Sequence, residues 1–251
     1  MISMLSIAVI LHAGPKDGRK LVFERRFDRM KMDSLVKEWK FDDGPVYNNE
    51  QEKYTLPQDG NAKLTRDGLV LEARKENGRI TSARLQSKQA WQYGYYEIVA
   101  KVPTGQGTWP AIWMLGDSIR RPTNRVGWPA CGEIDIMENV GKEVDKFHYS
   151  LHCQDYNWMR PKQRTKVTTI KNAPAKFHTF GIDWKKDSIS FLEDGKSVYS
   201  VTDTEHTVAA WPFNAPFYMI LNLAIGGNMA GKVDDSIFPS KFVVKSVRIW
   251  Q

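Results

Sequence analysis

Trp128-Pro129-Ala130-Cys131-Gly132-Glu133-Ile134-Asp135-Ile136-Met137-Glu138-Asn139-Val140-Gly141 alternates acids with isoleucines between two glycines. In a β-strand, side chains alternate, so Glu133 and Asp135 share one face and Ile134 and Ile136 the other. Strict alternation would then place Met137 with the acids and Glu138 with the isoleucines. A β-bulge at Ile136-Met137 adds one residue and returns Glu138 to the acidic face. Three carboxylates on one patch of a strand repel one another, which is costly for a purely structural element. The pattern makes sense if two carboxyls do acid–base work on a substrate. Brought together across a bulge, Glu133 and Glu138 are expected roughly 5–5.5 Å apart, the separation used by retaining glycosidases. Asp135 between them would raise its neighbours' pKa values. The competing reading at this point is three solvated acids on an exposed edge.

Outward from this strand, short apolar runs recur beside turn residues. Leu69-Val70-Leu71-Glu72-Ala73 follows Asp67-Gly68, and Tyr95–Val102 precedes Pro103-Thr104-Gly105. Ser188–Leu192 precedes Glu193-Asp194-Gly195, Phe217–Ala224 precedes Gly226-Gly227, and the chain ends in Phe242–Trp250. Many short strands with Gly, Asp and Asn turns predict an all-β sandwich or barrel. No long segment sustains a helical period. At 251 residues, one all-β domain accommodates the whole chain.

Composition narrows the function. Hydrophobic residues at 41% and charged residues at 26% exclude general disorder. No run of 18 apolar residues is present, so no helical membrane span is expected. The net charge of +7 comes from scattered basic residues with no run of five. A nucleic-acid partner is therefore not expected. Nine Trp, nine Tyr and eleven Phe are enough to line a sugar groove as well as to fill a core.

Glu-Ile-Asp-Ile-Met-Glu at 133–138 resembles the E-x-D-x-x-E signature of glycoside hydrolase family 16. Further stretches resemble that family in order along the chain: Asn48-Asn49-Glu50 with Tyr54-Thr55, Thr81-Ser82-Ala83-Arg84, and Tyr93-Gly94-Tyr95-Tyr96-Glu97. Gly107-Thr108-Trp109-Pro110-Ala111-Ile112-Trp113-Met114, Phe177–Trp184 and Leu221-Asn222-Leu223-Ala224-Ile225-Gly226-Gly227 continue the match. The resemblance implies a jelly-roll β-sandwich of the concanavalin A type with a concave substrate cleft. It implies Glu133 as nucleophile, Asp135 as assisting acid and Glu138 as acid/base. Trp109 and Trp113 match positions near the scissile bond, and Asn49 and Arg84 match polar sugar contacts. By the same resemblance residues 15–251 form the catalytic domain, acting without a cofactor.

His148, Ser150 and His152 share one parity in the strand after the acids. His152 is the one expected to bond a catalytic carboxylate or a sugar hydroxyl. Trp128 flanks the acids and Trp158 lies in the following loop; both are expected to contact sugar rings. Trp184, Trp211 and Trp250 fit core packing. Cys131 has the parity of Glu133 and Cys153 the opposite parity to His152, which argues against a disulfide between them.

The expected activity is a retaining endo-β-glycosidase on β-1,3- or mixed β-1,3/1,4-glucan, working as a monomer on a poly- or oligosaccharide. A β-galactan endo-hydrolase and a non-catalytic sugar-binding sandwich are the competing readings. Residues 1–14 contain the apolar run Ser6–Leu11 followed by His12-Ala13-Gly14, which resembles a secretory signal without its basic start. Export to the periplasm, cell surface or medium is the matching expectation. Many relatives carry a calcium ion on the face away from the cleft. Here Arg26 and Lys245 stand where that ion's acids would be, so no structural metal is expected.

Overall fold

β-branched and aromatic runs, broken by Gly, Asn and Asp turns, build two stacked sheets that are antiparallel except where Lys53 and Tyr54 pair with Thr81 and Ser82 in parallel. The computed structural model describes residues 18–44 and 46–251. The signal-like reading of residues 1–14 lies outside the described residues. In chain order the strands are β1 (Leu21–Arg26), β2 (Trp39–Phe41), β3 (Lys53–Tyr54), β4 (Ala62–Thr65), β5 (Gly68–Glu76), β6 (Arg79–Ser82), β7 (Arg84–Trp91) and β8 (Gly94–Lys101). They continue with β9 (Thr108–Gly116), β10 (Glu133–Asn139), β11 (Lys146–His152), β12 (Arg164–Thr169), β13 (His178–Lys185), β14 (Ser188–Glu193), β15 (Lys196–Thr202), β16 (Phe217–Ile225) and β17 (Ser240–Trp250). The α-helices are short, α1 (Met32–Glu38) and α2 (Gly227–Ala230). Every strand expected from the sequence is present.

One sheet runs β12-β11-β10-β9-β16-β7-β2, and the other runs β15-β14-β13-β8-β17-β5-β6-β3, with β1 on β17 and β4 on β5. This is the jelly-roll sandwich. The main core lies between the sheets and includes Ile134, Ile136 and Met137 of β10, Phe147, Tyr149 and Leu151 of β11, and Trp184 of β13. A smaller apolar cluster of Leu115, Cys131, Tyr218 and Ile220 lies on the other face of the first sheet, with Trp113 and Trp128 against it. Cys153 belongs to the main core, so the two cysteines face opposite ways, and both thiols are free.

On the second sheet, Arg26 and Lys245 occupy neighbouring strands, with Arg26 opposite Ser246. The Arg26 guanidinium bonds both oxygens of Asp28, at 2.9 and 3.3 Å, and that bond holds the Asp28 carboxyl below its ordinary pKa. Asp28, an acid beside that position, is already paired with a cation, with Lys245 adding to the same field. These residues do not fit a calcium site.

Candidate active site

The register of β10 explains how three acids reach one face. Asp135 pairs with Ser150 and Glu138 with His148 on β11; on β9, Asp135 pairs with Trp113 and Met137 with Ile112. One surplus residue therefore lies at Ile136-Met137, where the sequence calls for a bulge. Ile134, Ile136 and Met137 are fully buried in the core. Their burial turns Glu133, Asp135 and Glu138 to the opposite face. Gly132 leads into the strand at φ +82°, and a Cβ there would lie 2.8 Å from the Phe217 ring and 2.9 Å from Pro212. Only glycine suits that turn and that approach.

Each glutamate is held by an indole. Trp128 Nε1–H donates to Glu133 Oε2 at 2.9 Å, and Trp109 Nε1–H donates to Glu138 Oε1 at 3.0 Å. His152 lies opposite Glu133 on β11, with Nε2 3.2 Å from Asp135 Oδ2 and 3.9 Å from Glu133 Oε1. His152, not His148, is the histidine that touches the acids. Burial is the largest cause raising all three carboxyls above their ordinary pKa. The Asp135 and Glu138 charges push Glu133 up further, and Glu138 does the same to Asp135. His152 and the Trp109 hydrogen bond oppose the rise at Glu138. Such a trio titrates as a unit and retains protons at pH values where isolated carboxyls are ionised. Ligand atoms of Glu133, Asp135 and His152 also lie within 4.8 Å of one another, close enough to share a divalent cation.

Aromatic rings extend the site on both sides. Trp158 is 54% exposed, and its ring lies 6.4 Å from that of Trp128 at an interplanar angle of 30°. Trp113 Nε1–H donates to Asn222 Oδ1 at 2.7 Å, and the Arg84 guanidinium lies 5.0 Å from the Trp113 ring centroid. Arg84 is buried and its Nε is 3.2 Å from Asp42 Oδ2. Asn49 sits exposed, its Nδ2 donating to Asn228 Oδ1 at 2.7 Å. The residues singled out in sequence thus fall into one acid-centred group with aromatic flanks, while Asn49 contacts α2, the short helix after β16. Trp184, Trp211 and Trp250 are buried.

Sequence reading passed over Asn222 and Tyr47 as site residues. Asn222 is a buried amide in the otherwise apolar strand Phe217–Ile225, and that interruption is a usable signal. Tyr47 is exposed, with its ring 5.8 Å from the Arg84 guanidinium. Nothing in its local sequence marks it.

The model of the family described as Glycosyl hydrolases family 16 matches residues 48–237. A beta-glucanase of Rhodothermus marinus is 38% identical over 246 residues, covering 92% of this chain and 85% of that protein. A glucan endo-1,3-beta-glucosidase of Cryptopygus antarcticus is 31% identical over 244 residues, covering 86% and 87%. The crystal structure of a laminarinase from Flavobacterium sp. UMI-01 superposes with a TM-score of 0.84 at 42% identity, covering 92% of this chain and 100% of that one. The sandwich, the bulged acid-bearing strand and these similarities agree, and the chain belongs to glycosyl hydrolase family 16.

Proposed function

We propose that the protein is a retaining endo-β-glycosidase that cleaves β-1,3-glucan or mixed β-1,3/1,4-glucan. The observation that carries this reading is the pair of glutamates on one bulged strand, each bonded by an indole N–H. In the first step an oxygen of Glu133 bonds the anomeric carbon as the glycosidic C–O bond breaks. Glu138 gives its proton to the departing sugar oxygen. In the second step Glu138 takes a proton from water. The water oxygen bonds the anomeric carbon, and Glu133 leaves as a carboxylate. Asp135, buried between the glutamates and beside His152, supplies the negative field that keeps a proton in the trio until substrate arrives.

Trp158 and Trp128 on one side, and Trp113 with Arg84 on the other, offer apolar ring faces and a guanidinium to successive sugars. Similarity to a beta-glucanase and to a glucan endo-1,3-beta-glucosidase supports glucan over galactan. Each chain carries the whole trio, which supports a monomer as the working unit. A polymeric substrate does not cross a membrane unaided, which supports action outside the cytoplasm, and fractionation of the producing cells tests that.

The test of function is incubation with laminarin, lichenan, agarose, porphyran and mucin glycans, with identification of the oligosaccharides released. A ladder of gluco-oligosaccharides from laminarin or lichenan is expected. Release from agarose or porphyran with none from the glucans would overturn the substrate reading.

A further inference from the structure

A second pair of carboxyls lies beneath the Trp113 end of the site, Glu52 buried and Glu50 half-buried. Glu50 forms an isolated antiparallel bridge with Gly226, and the Gln51 N–H donates to the Ile225 carbonyl at 2.9 Å. Glu52 Oε2 accepts from the Ile225 N–H at 2.8 Å. These contacts lace the segment before β3 to the end of β16. Glu52 is 3% exposed, and its Oε1 has no hydrogen-bond partner while the group is ionised. A buried carboxylate oxygen without a donor is costly. A proton placed between Glu52 and the neighbouring Glu50 carboxyl, whose charge acts on Glu52, removes that cost.

The pair connects to the platform through named bonds. Tyr54 OH donates to Glu50 Oε2 at 3.3 Å and accepts from Asn222 Nδ2 at 3.2 Å. Asn222 Oδ1 in turn accepts from the Trp113 indole N–H. Flipping the Asn222 amide would set its NH₂ against that indole N–H, so the order of donors is fixed from Tyr54 to Trp113. Gly227 closes the same corner at φ +76°. A Cβ there would lie 3.2 Å from Glu50 Cγ and 3.3 Å from the Trp109 ring.

We propose that Glu50 and Glu52 act as a proton-sharing carboxyl pair that positions the sugar platform, holding the Trp113 indole through Tyr54 and Asn222. The proposal rests on the outer face of the first sheet being the glucan-binding face. Both glutamates act through Tyr54 and Asn222, and both are positioning residues. Burial and the neighbouring Glu50 charge raise the Glu52 carboxyl to about 8, so the shared proton is held at neutral pH. Arg84, paired with Asp42, pulls Glu50 the other way. On its far side Glu52 lines a recess with Lys53, Asp59, Lys75 and Arg79, where Lys75 is bonded to Asp235. Loss of the shared proton sets the buried Glu52 carboxylate against the Glu50 carboxylate and loosens the corner.

The test compares the wild type with Glu52→Gln and Tyr54→Phe. Glutamine keeps a donor toward Glu50 and removes the titration. The wild-type KM for a laminari-oligosaccharide is expected to rise between about pH 7 and 9, around the raised Glu52 carboxyl. In Glu52→Gln that alkaline rise in KM is lost. At pH 6, Tyr54→Phe is expected to raise KM about 3- to 10-fold, as loss of one hydrogen bond would, with a smaller change in kcat. Without substrate, the melting temperature of Glu52→Gln should exceed the wild type by a margin that grows from about pH 5 to pH 8 and then levels. The folded wild type binds the extra proton only in that window. Persistence of the alkaline KM rise in Glu52→Gln, or a melting margin independent of pH, would overturn the proposal. A wild type that cleaves no glucan overturns the functional reading instead, and the melting margin then still decides the carboxyl pair.

Discussion

Trp128 and Glu133, five positions apart in sequence, are joined by an indole N–H that donates to the carboxyl at 2.9 Å. The bond fixes one oxygen of Glu133, and the other lies 3.9 Å from His152 Nε2. Replacing Trp128 by Phe keeps an aromatic ring and removes the donor. A hydrogen bond to a charged group is worth about 1.5–3 kcal/mol, so kcat/KM on the best glucan should fall ~10- to 100-fold. Steady-state kinetics check this, and an unchanged kcat/KM would show that the indole only packs.

On the proposed mechanism, Glu133→Gln and Glu138→Gln each remove an essential chemical role. Loss of either should lower kcat by about 10²–10⁴-fold or more. Both variants should melt no lower than the wild type, since each removes one acid from a crowded trio. Circular dichroism melts and kinetics on the same preparations separate folding from chemistry.

Asp135 gives a pH prediction. Its folded pKa is raised, chiefly by burial and then by the Glu138 charge. A carboxyl raised on folding stabilises most below its unfolded pKa, and that contribution is lost as pH rises through the folded value. Asp135→Asn should therefore melt above the wild type at pH 7, with the margin shrinking toward pH 4. Every tenfold gain in proton affinity on folding corresponds to about 1.4 kcal/mol of that margin. Parallel melts across that range read the sign directly, and a margin that widens on acidification would contradict it. Activity should fall in the same variant, because the trio loses its central charge.

Stereochemistry tests the two-step route. Double displacement at the anomeric carbon restores the β configuration. Proton NMR within the first minutes of laminarin cleavage should show the β-anomer before mutarotation. An initial α-anomer would mean a single displacement by water.

The Arg26–Asp28 pair leads to a prediction about calcium. A cation-filled site does not bind calcium, and a ligand that does not bind the folded state cannot stabilise it. The melting temperature should be the same in EDTA and in millimolar Ca²⁺. A rise with Ca²⁺ that chelator reverses would show that other oxygens supply the ligands.

Much of the site was legible because β-structure has a period of two. Glu133 and Asp135 were assigned to one face by alternation, and the apolar pair Ile136-Met137 marked the place for a bulge. The core hosts Met137 and Ile136 side by side, since burying both outweighs keeping the regular pleat. Cys131 and Cys153 were separated by the same parity argument, and the two apolar clusters hold them apart. Family resemblance, rather than periodicity, distinguished the roles proposed for Glu133 and Glu138.

Sequence by itself determined the strands, the acidic face of β10 and the aromatic supply, because these depend on neighbours within a few residues. Tertiary structure alone decided which donors meet which acids. Trp109 reaches Glu138 across 29 positions and Asn222 reaches Trp113 across 109. Those contacts exist because sheet order places β9 between β10 and β16. Pairing across a sheet is set by register and by the packing of both faces, and a linear pattern carries neither.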